Sequence, residues 1–180
     1  MTIATIARGM DALVMRIGRV SAWLTLILVL LVATNVLARY FLHMSSIATQ
    51  ELEWHLLAVI AMLGSVYTLQ QGEHVRVDIF YQRYGEAVQR WFDLAVALLL
   101  VVPLGVWLAM LSWDYVLYAY NIGERSPEAG GLPYRFLLKA VIPLGFALIA
   151  LQGVSMALSA AASLLGARSP VPVPDRAYAT

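Results

Sequence analysis

The stretch VSAWLTLILVLLVATNVLA, residues 20–38, decides the fold class because it carries no charged side chain over nineteen positions. At about 1.5 Å per residue, a helix of that length measures about 28 Å, close to the roughly 30 Å thickness of a bilayer's hydrocarbon core. We therefore predict a transmembrane helix. The run exceeds the roughly 7–15-residue hydrophobic core of a signal peptide, and no small-x-small cleavage site follows it, so we expect it to be retained.

Three further runs are long enough to cross a membrane: residues 54–72, 94–113 and 140–167. The third run contains Pro103, which a membrane helix tolerates when neighbouring groups satisfy the freed carbonyl, so a mild kink is expected there. The fourth run is the longest, with Pro143 near its start, so it is either tilted or begins before the hydrocarbon edge. The predicted fold is all-α and integral to the membrane, with one four-helix domain over residues 1–168. Residues 169–180, which alternate proline with small side chains at first, are predicted to form a flexible cytoplasmic tail.

Composition agrees with lipid as the solvent of this chain. Hydrophobic residues make up 61% and charged residues 13% of the sequence, whereas soluble domains carry roughly 25% charged residues. The net charge is only +1 and the basic residues are scattered, so no nucleic-acid partner is expected. The absence of cysteine excludes disulfides, thiolate metal sites and cysteine nucleophiles.

The distribution of lysine and arginine predicts the orientation, since cytoplasmic segments retain these residues. Four spans place both termini and the segment between the second and third spans on one side. That side holds eight basic residues: Arg8, Arg16, Arg19, Arg76, Arg83, Arg90, Arg168 and Arg176. The opposite side holds four: Arg39, Arg125, Arg135 and Lys139. We therefore expect both termini in the cytoplasm.

Two segments outside the spans have the pattern of amphipathic helices that lie on a membrane. At the N-terminus one face collects Ile3, Ile6, Met10, Leu13, Val14 and Ile17, and the other Arg8, Asp11, Arg16 and Arg19. Between the second and third spans, over residues 80–91, one face collects Phe80, Tyr84, Ala87, Val88 and Trp91, and the other Gln82, Arg83, Glu86, Gln89 and Arg90. Both are predicted to lie along the cytoplasmic surface in contact with lipid; packing on a partner is the alternative.

Within the four predicted spans there is no Asp, Glu, Lys or Arg. Pumps, carriers and channels commonly need an ionisable group or unwound backbone at mid-membrane, because an ion must exchange its water for something polar. The polar residues available are Thr34, Asn35, Gln70, Gln152, Ser155, Ser159 and Ser163. We interpret them as interhelical hydrogen-bonding groups rather than a permeation path. Ser155, Ser159 and Ser163 form a ridge of small residues where another helix can approach closely.

Metal, cofactor and catalytic sites are not expected. His55 and His74 lie nineteen residues apart on the second helix, about 28 Å at roughly 1.5 Å per residue, so they face opposite sides of the membrane. His43 is in a short loop near His55 alone. A haem or metal role for these histidines is therefore disfavoured, and no paired acid and base marks an enzyme.

Charged residues cluster at the ends of the spans and form the candidate contact residues. Arg39 follows the first span, Glu51 and Glu53 open the second, and the turn Gly-Glu-His-Val-Arg-Val-Asp at residues 72–78 closes it with Glu73, His74, Arg76 and Asp78. The simplest interpretation is interface charge and helix capping. The turn residues can also bind lipid headgroups or a partner protein, and the sequence leaves these alternatives open.

A turn-rich polar loop over residues 121–133 joins the third and fourth spans. It contains the candidate contact residues Glu124, Arg125 and Ser126, and it faces the periplasm in the predicted orientation. The loop leads to a helix start predicted at Pro133. Its simplest interpretation is a connection.

Several of these motifs together resemble the small membrane subunit (DctQ type) of tripartite ATP-independent periplasmic (TRAP) transporters. They are Arg39-Tyr40-Phe41, Glu51, Gly64, the 72–78 turn, Gly131-Leu132-Pro133 and Ile142-Pro143-Leu144-Gly145-Phe146. The 72–78 turn is the most specific of them, and the resemblance covers about residues 16–165. It implies a multi-pass protein of the bacterial inner membrane.

The resemblance further implies two protein partners: a large membrane subunit that carries the substrate and sodium sites, and a soluble periplasmic protein that captures the substrate. Family substrates are mostly organic acids, including C4-dicarboxylates and 2-oxo acids. The implied role is a scaffold subunit without cofactor. The alternative is a self-sufficient transporter or channel that forms homo-oligomers around a polar seam of Asn35, Gln70 and Gln152.

Overall fold

The computed structural model of the chain describes residues 3–71 and 84–165, and these ranges contain helices and no strand. The helices are α1 (Ile3–Phe41), α2 (Ile47–Gln71), α3 (Glu86–Val96), α4 (Val102–Asn121) and α5 (Arg135–Leu164). A π-helical stretch, Ala97–Val101, joins α3 to α4 without a break. The α1, α2 and α5 helices and the continuous α3–α4 helix are each long and apolar enough to cross a membrane. The predicted four-span, all-α fold is confirmed.

Helix α5 is the centre of the assembly. It contacts α1, α2, α3 and α4, and α1 also packs on α2; α4 makes no comparable contact with α1 or α2 in the described ranges. Small residues permit this arrangement, because Gly145, Ala150, Gly153, Ser155, Ala157 and Ala160 are buried along α5. In lipid, small residues favour helix association because they let backbones approach closely. The prediction of a small-residue ridge on α5 is confirmed for its buried members, Ser155 and Ser159.

Glycines on both sides of the helix contacts show how close the approach is. A Cβ added to Gly105 of α4 would lie 3.0 Å from the Ala150 backbone nitrogen of α5. A Cβ added to Gly153 would lie 2.8 Å from Val101 Cγ1 at the π-helical stretch. Alanine at either position would force the neighbouring helix to shift.

The third spanning helix widens just before its proline. Pro103 is the second residue of α4 and follows the π-helical stretch directly. Proline lacks an N–H donor, and in a regular helix its ring clashes with the carbonyl four residues earlier, here Leu99. The wider π-helical turn relieves this conflict, and it marks the position where the sequence predicts a kink.

The N-terminal amphipathic segment is not found as a separate helix, since α1 runs uninterrupted from Ile3 to Phe41. The face that packs inward carries Ala7, Asp11, Val14, Gly18 and Ser21, of which Ala7, Val14 and Ser21 are buried. Ile6 and Leu13, which belong to the predicted apolar face, are exposed. In lipid, apolar side chains such as these can face outward while the small ones pack against neighbouring helices.

The second predicted surface helix, residues 80–91, is described only from residue 84. Its described part is the start of α3, which continues through the π-helical stretch into α4. The outward side chains of α3 include Val88 and Trp91, both exposed. Contact of either segment with the membrane surface stays a prediction.

Candidate functional site

One polar centre lies at the helix ends covered by the 122–134 loop, and we name it the Glu51 cluster: Glu51, Ser126 and Leu132. Glu51 lies near the start of α2 and is only 6% exposed. Its Oε1 accepts a hydrogen bond from Ser126 Oγ, and its Oε2 accepts one from Leu132 N over 2.6 Å. Each carboxylate oxygen thus has its own donor, which is the condition for keeping such a group away from water.

The loop that supplies these donors is closed by its own backbone. Gly123 and Gly130 adopt φ values of 61° and 87°, a left-handed region that favours glycine. Ser126 N donates to Leu132 O over 3.2 Å and so joins the two arms of the loop. Gly131 lies so close to the carboxylate that an added Cβ would come within 2.8 Å of Glu51 Oε2. The loop therefore packs closely over the Glu51 carboxylate in addition to connecting α4 to α5.

Two basic residues at the start of α5 make side-chain contacts with the loop, α2 and α4. Lys139 Nζ forms an ion pair with Glu124 of the loop. The same nitrogen lies 3.9 Å from the centre of the Tyr115 ring of α4, a distance at which a cation is attracted to the ring face. Arg135 extends over Trp54 of α2, with Cζ 5.4 Å from the ring centre. Loop, α2, α4 and α5 are thus linked at this end.

A separate hydrogen bond links α1 to α2 at the same end of the molecule. Asn35 Nδ2 of α1 donates to Glu53 Oε1 over 2.8 Å. The interpretation of Asn35 as an interhelical hydrogen-bonding residue is confirmed. Arg39 lies in the last turn of α1 and is exposed.

A groove with a volume of about 410 Å³ opens beside the loop. Its lining consists of Tyr120, Asn121, Gly123, Glu124, Arg125, Tyr134 and Phe136. Tyr134 caps α5 with a φ of 63°, which is uncommon for a residue with a side chain. Phe136 makes edge contacts with the rings of Tyr120 and Tyr134, with ring centres 5.2 and 6.1 Å away. The groove therefore combines an aromatic wall with charges of both signs, a composition suited to contact with a protein surface.

A second polar centre lies at the opposite end of the helices, and we name it the Asp11 cluster: Asp11, Gln70, Gln152 and Ser155. Asp11 Oδ1 accepts hydrogen bonds from Ser155 Oγ over 2.8 Å and from Gln152 Nε2 over 3.3 Å. Gln70 Nε2 donates to the backbone oxygen of Asp11 over 2.8 Å. Helices α1, α2 and α5 meet here, which confirms interhelical hydrogen bonding for both glutamines and Ser155.

The Asp11 cluster also contains unsatisfied acceptors. Gln70 Oε1 and Gln152 Oε1 are buried and have no hydrogen-bonding partner among the described residues. The orientation of each amide follows from its other atom, because only the nitrogen can donate to the Asp11 oxygens. The placement of Asp11 on the outer polar face of a surface helix was wrong: its carboxylate bonds to residues of the fourth span.

The structure brings together some of the predicted contact residues and separates others. Glu51 and Ser126 meet directly, Glu124 pairs with Lys139, and Arg125 lines the groove. The turn residues Glu73, His74, Arg76 and Asp78 lie outside the described ranges. Sequence reasoning missed Leu132, which acts through its backbone N–H and therefore has no side-chain signal, and Lys139, which was counted only for orientation. No group of three His, Cys, Asp or Glu suited to a metal ion occurs within residues 3–71 and 84–165.

Comparison with known proteins identifies relatives over most of the chain. The family model described as tripartite ATP-independent periplasmic transporters, DctQ component, matches residues 28–163. The chain is 30% identical over 160 residues to the ectoine TRAP transporter small permease protein TeaB of Halomonas elongata. That alignment covers 84% of this chain and 74% of the relative. No solved structure matches the chain.

Proposed function

The chain belongs to the DctQ family of small TRAP transporter membrane subunits, and from this premise we propose that it is a scaffold that supports the large transport subunit. The family resemblance drawn from the sequence is confirmed. Family and relative are transporter subunits and not enzymes, so the chemistry to be explained is assembly and support.

The observation that carries the scaffold role is that three polar residues of the spans hydrogen-bond to neighbouring helices of the same chain. Asn35 is bonded to Glu53 near the loop, whereas Gln70 and Gln152 are bonded to Asp11 at the far end. The Asn35–Glu53 bond and the Asp11 cluster thus join helices at opposite ends of the molecule. A solute path needs polar groups that stay available to the solute along the membrane. Side chains whose N–H donors are already used within the chain suit a structural support better than a solute path.

For the transported solute, we propose an organic acid taken up with sodium and delivered by a periplasmic binding protein. The support is the family resemblance, whose substrates are mostly carboxylates. The relative from Halomonas elongata is named for ectoine, which makes ectoine the first additional solute to compare with dicarboxylates and 2-oxo acids.

We also propose that both termini lie in the cytoplasm and that the two sides of the protein contact different partners. The loop residues Glu124, Arg125 and Ser126 then face the periplasm, where the groove offers the binding protein an aromatic and charged surface. The carboxyl group of Glu51 holds that surface in place. At the cytoplasmic face, the 72–78 turn binds the large subunit or lipid headgroups, and Arg39 and Glu53 mark the periplasmic headgroup level.

Reconstitution tests the scaffold role. Liposomes would contain the large subunit with or without this chain, together with the binding protein and an inward sodium gradient. Uptake of a labelled carboxylate should require both membrane subunits and fall when the gradient is removed. Undiminished uptake without this chain would refute the scaffold role.

The self-sufficient transporter is tested in the same experiment by liposomes that contain this chain alone. Uptake by those liposomes would favour the homo-oligomer. The proposed scaffold role is favoured over a polar seam because the side-chain nitrogens of Asn35, Gln70 and Gln152 all donate within the chain.

Assembly variants test the cytoplasmic turn separately. Arg76→Ala or Asp78→Ala should reduce co-purification of the large subunit while leaving the amount of this chain in the membrane unchanged. Normal assembly of both variants would show that the 72–78 turn is only a turn.

A further inference from the structure

One face of α4 is exposed and carries a carboxylate, two aromatic side chains with polar groups and a methionine. Trp107, Met110, Asp114 and Tyr118 fall within an arc of about 80° at roughly 100° per residue, and all four are exposed. We name this the α4 face. The opposite side of the helix packs on α5 through its buried residues, Gly105, Val116 and Ala119.

The α4 face differs in composition from the exposed face of α1. The α1 helix presents mainly aliphatic side chains to its surroundings, such as Val29, Leu30 and Leu37. Aliphatic side chains match lipid tails. The α4 face instead carries tryptophan, methionine and tyrosine, types that are enriched at protein–protein interfaces. Since α4 packs on α5 and on neither α1 nor α2 in the described ranges, this face lies at the edge of the helix assembly.

Depth in the membrane gives a second reason to expect a protein neighbour. If the hydrocarbon core ends near Asp114, as the predicted span implies, Trp107 lies about 10 Å deeper than the interface where tryptophan is enriched. If the core extends to Asn121, beside the loop, Asp114 itself lies about 10 Å inside, where a lipid-facing carboxylate is costly. Either boundary leaves one residue of the α4 face poorly suited to lipid.

Charge supplies the third reason. Three other carboxylates near this end have partners within the chain: Glu51 with Ser126 and Leu132, Glu53 with Asn35, and Glu124 with Lys139. Asp114 has no hydrogen bond or ion pair within residues 3–71 and 84–165. Its carboxylate is therefore an available acceptor on an otherwise apolar and aromatic surface.

We propose that the α4 face docks a helix of the large membrane subunit, and that this helix presents a lysine, an arginine or another N–H donor to Asp114. The proposal rests on the scaffold role and names the surface that performs it. Met110, Trp107 and Tyr118 supply the packing area around the polar contact. A charge pair shielded by such side chains is stronger than one in water.

Co-purification of the large subunit with the tagged chain tests this surface. Asp114→Lys should lower the recovered large subunit about tenfold or more, because truncating or reversing a shielded charge pair weakens binding by at least that factor. Trp107→Leu should lower the recovered amount of large subunit severalfold. The matched controls are Glu128→Lys, a charge reversal in the exposed loop, and Trp23→Leu, since Trp23 of α1 is 63% exposed and Trp107 is 61% exposed. Both controls should recover the large subunit at the wild-type level.

The outcomes separate this proposal from the proposed function. A wild-type chain that recovers no large subunit overturns the scaffold role and the docking face together. A wild-type complex that persists in both Asp114→Lys and Trp107→Leu overturns the docking face alone.

A photo-crosslinking amino acid gives a readout that does not depend on stable assembly of a variant. Placed at Met110 it should crosslink to the large subunit, whereas the same group at Leu30 of α1 should not. Crosslinks from position 110 only to lipid, or only to a second copy of this chain, would overturn the proposal.

Discussion

The Glu51 cluster and the Asp11 cluster both use one carboxylate to join distant parts of the chain, but they differ in how fully their polar atoms are satisfied. Each oxygen of Glu51 accepts from a separate donor, and Gly131 leaves no room for further atoms beside it. At the Asp11 cluster, Oδ1 receives two donors while two neighbouring amide oxygens have none among the described residues. A fully satisfied buried network rigidifies its surroundings, whereas each unpaired buried polar atom costs free energy.

We therefore expect the loop end to be the more rigid of the two. A fixed loop end suits a surface that must present the same groove at each encounter with a partner. The variants below test this contrast through the midpoint of thermal unfolding of the purified chain.

The largest effect is expected for Glu51→Ala. It removes two charge-assisted hydrogen bonds and leaves Ser126 Oγ and Leu132 N without their acceptor. Leaving buried donors unpaired is more costly than replacing both partners, so we expect the midpoint to fall by about 8 °C or more. Glu128→Ala, in the exposed part of the same loop, is the control and should leave the midpoint unchanged. Equal midpoints for the two variants would refute the fixed loop end.

The next effect in size is expected for Gly131→Ala. The new Cβ would meet Ser126 and come within 2.8 Å of Glu51 Oε2, so the loop must move away from the carboxylate. Overpacking of this kind typically destabilises by about 1–3 kcal/mol. Gly9→Ala is the matched control, because a Cβ at Gly9 of α1 meets nothing within 4 Å. A smaller loss at position 131 than at position 9 would contradict the close fit of the loop.

A smaller effect is expected for Ser155→Ala in the Asp11 cluster. The change removes the 2.8 Å hydrogen bond to the Asp11 carboxylate. Hydrogen bonds to charged groups typically contribute about 1.5–3 kcal/mol to the free energy of unfolding. Because Gln152 still donates to the same oxygen, we expect a loss near the lower end of that range. Ser163→Ala is the control, since within the described ranges Ser163 bonds only to the Ser159 carbonyl of its own helix. Loss of as much stability as in Glu51→Ala would remove the contrast between the two ends.

The four-span fold was predictable because charge-free runs of bilayer length have few alternatives. Glu51 and Ser126 were each recognised as candidate contacts, but their bond joins positions 75 residues apart and depends on the path of the loop. Leu132 contributes a backbone group, which leaves no trace in the side-chain pattern. Asp11 was misplaced because the residues before the first span were predicted to form a surface helix with Asp11 on its polar face, whereas α1 runs unbroken and places Asp11 against α5. With lipid as solvent, Ile6 and Leu13 face outward and the small residues form the contact.

The smallest effect is expected for Gln152→Met, although Gln152 is only 2% exposed. The change removes a long 3.3 Å donor to Asp11 and, at the same time, a buried oxygen that has no partner among the described residues. Methionine has a similar length and fills the same space without an unsatisfied acceptor, so we expect a midpoint within about 2 °C of wild type or slightly above it. Gln152→Glu is the discriminating companion. It places a second carboxyl group beside Asp11, so it should lower the midpoint more than methionine does, through like-charge repulsion. If methionine were instead the more damaging change, the Gln152 oxygen must have a partner that matters for stability, and the far end would be as fully satisfied as the loop end.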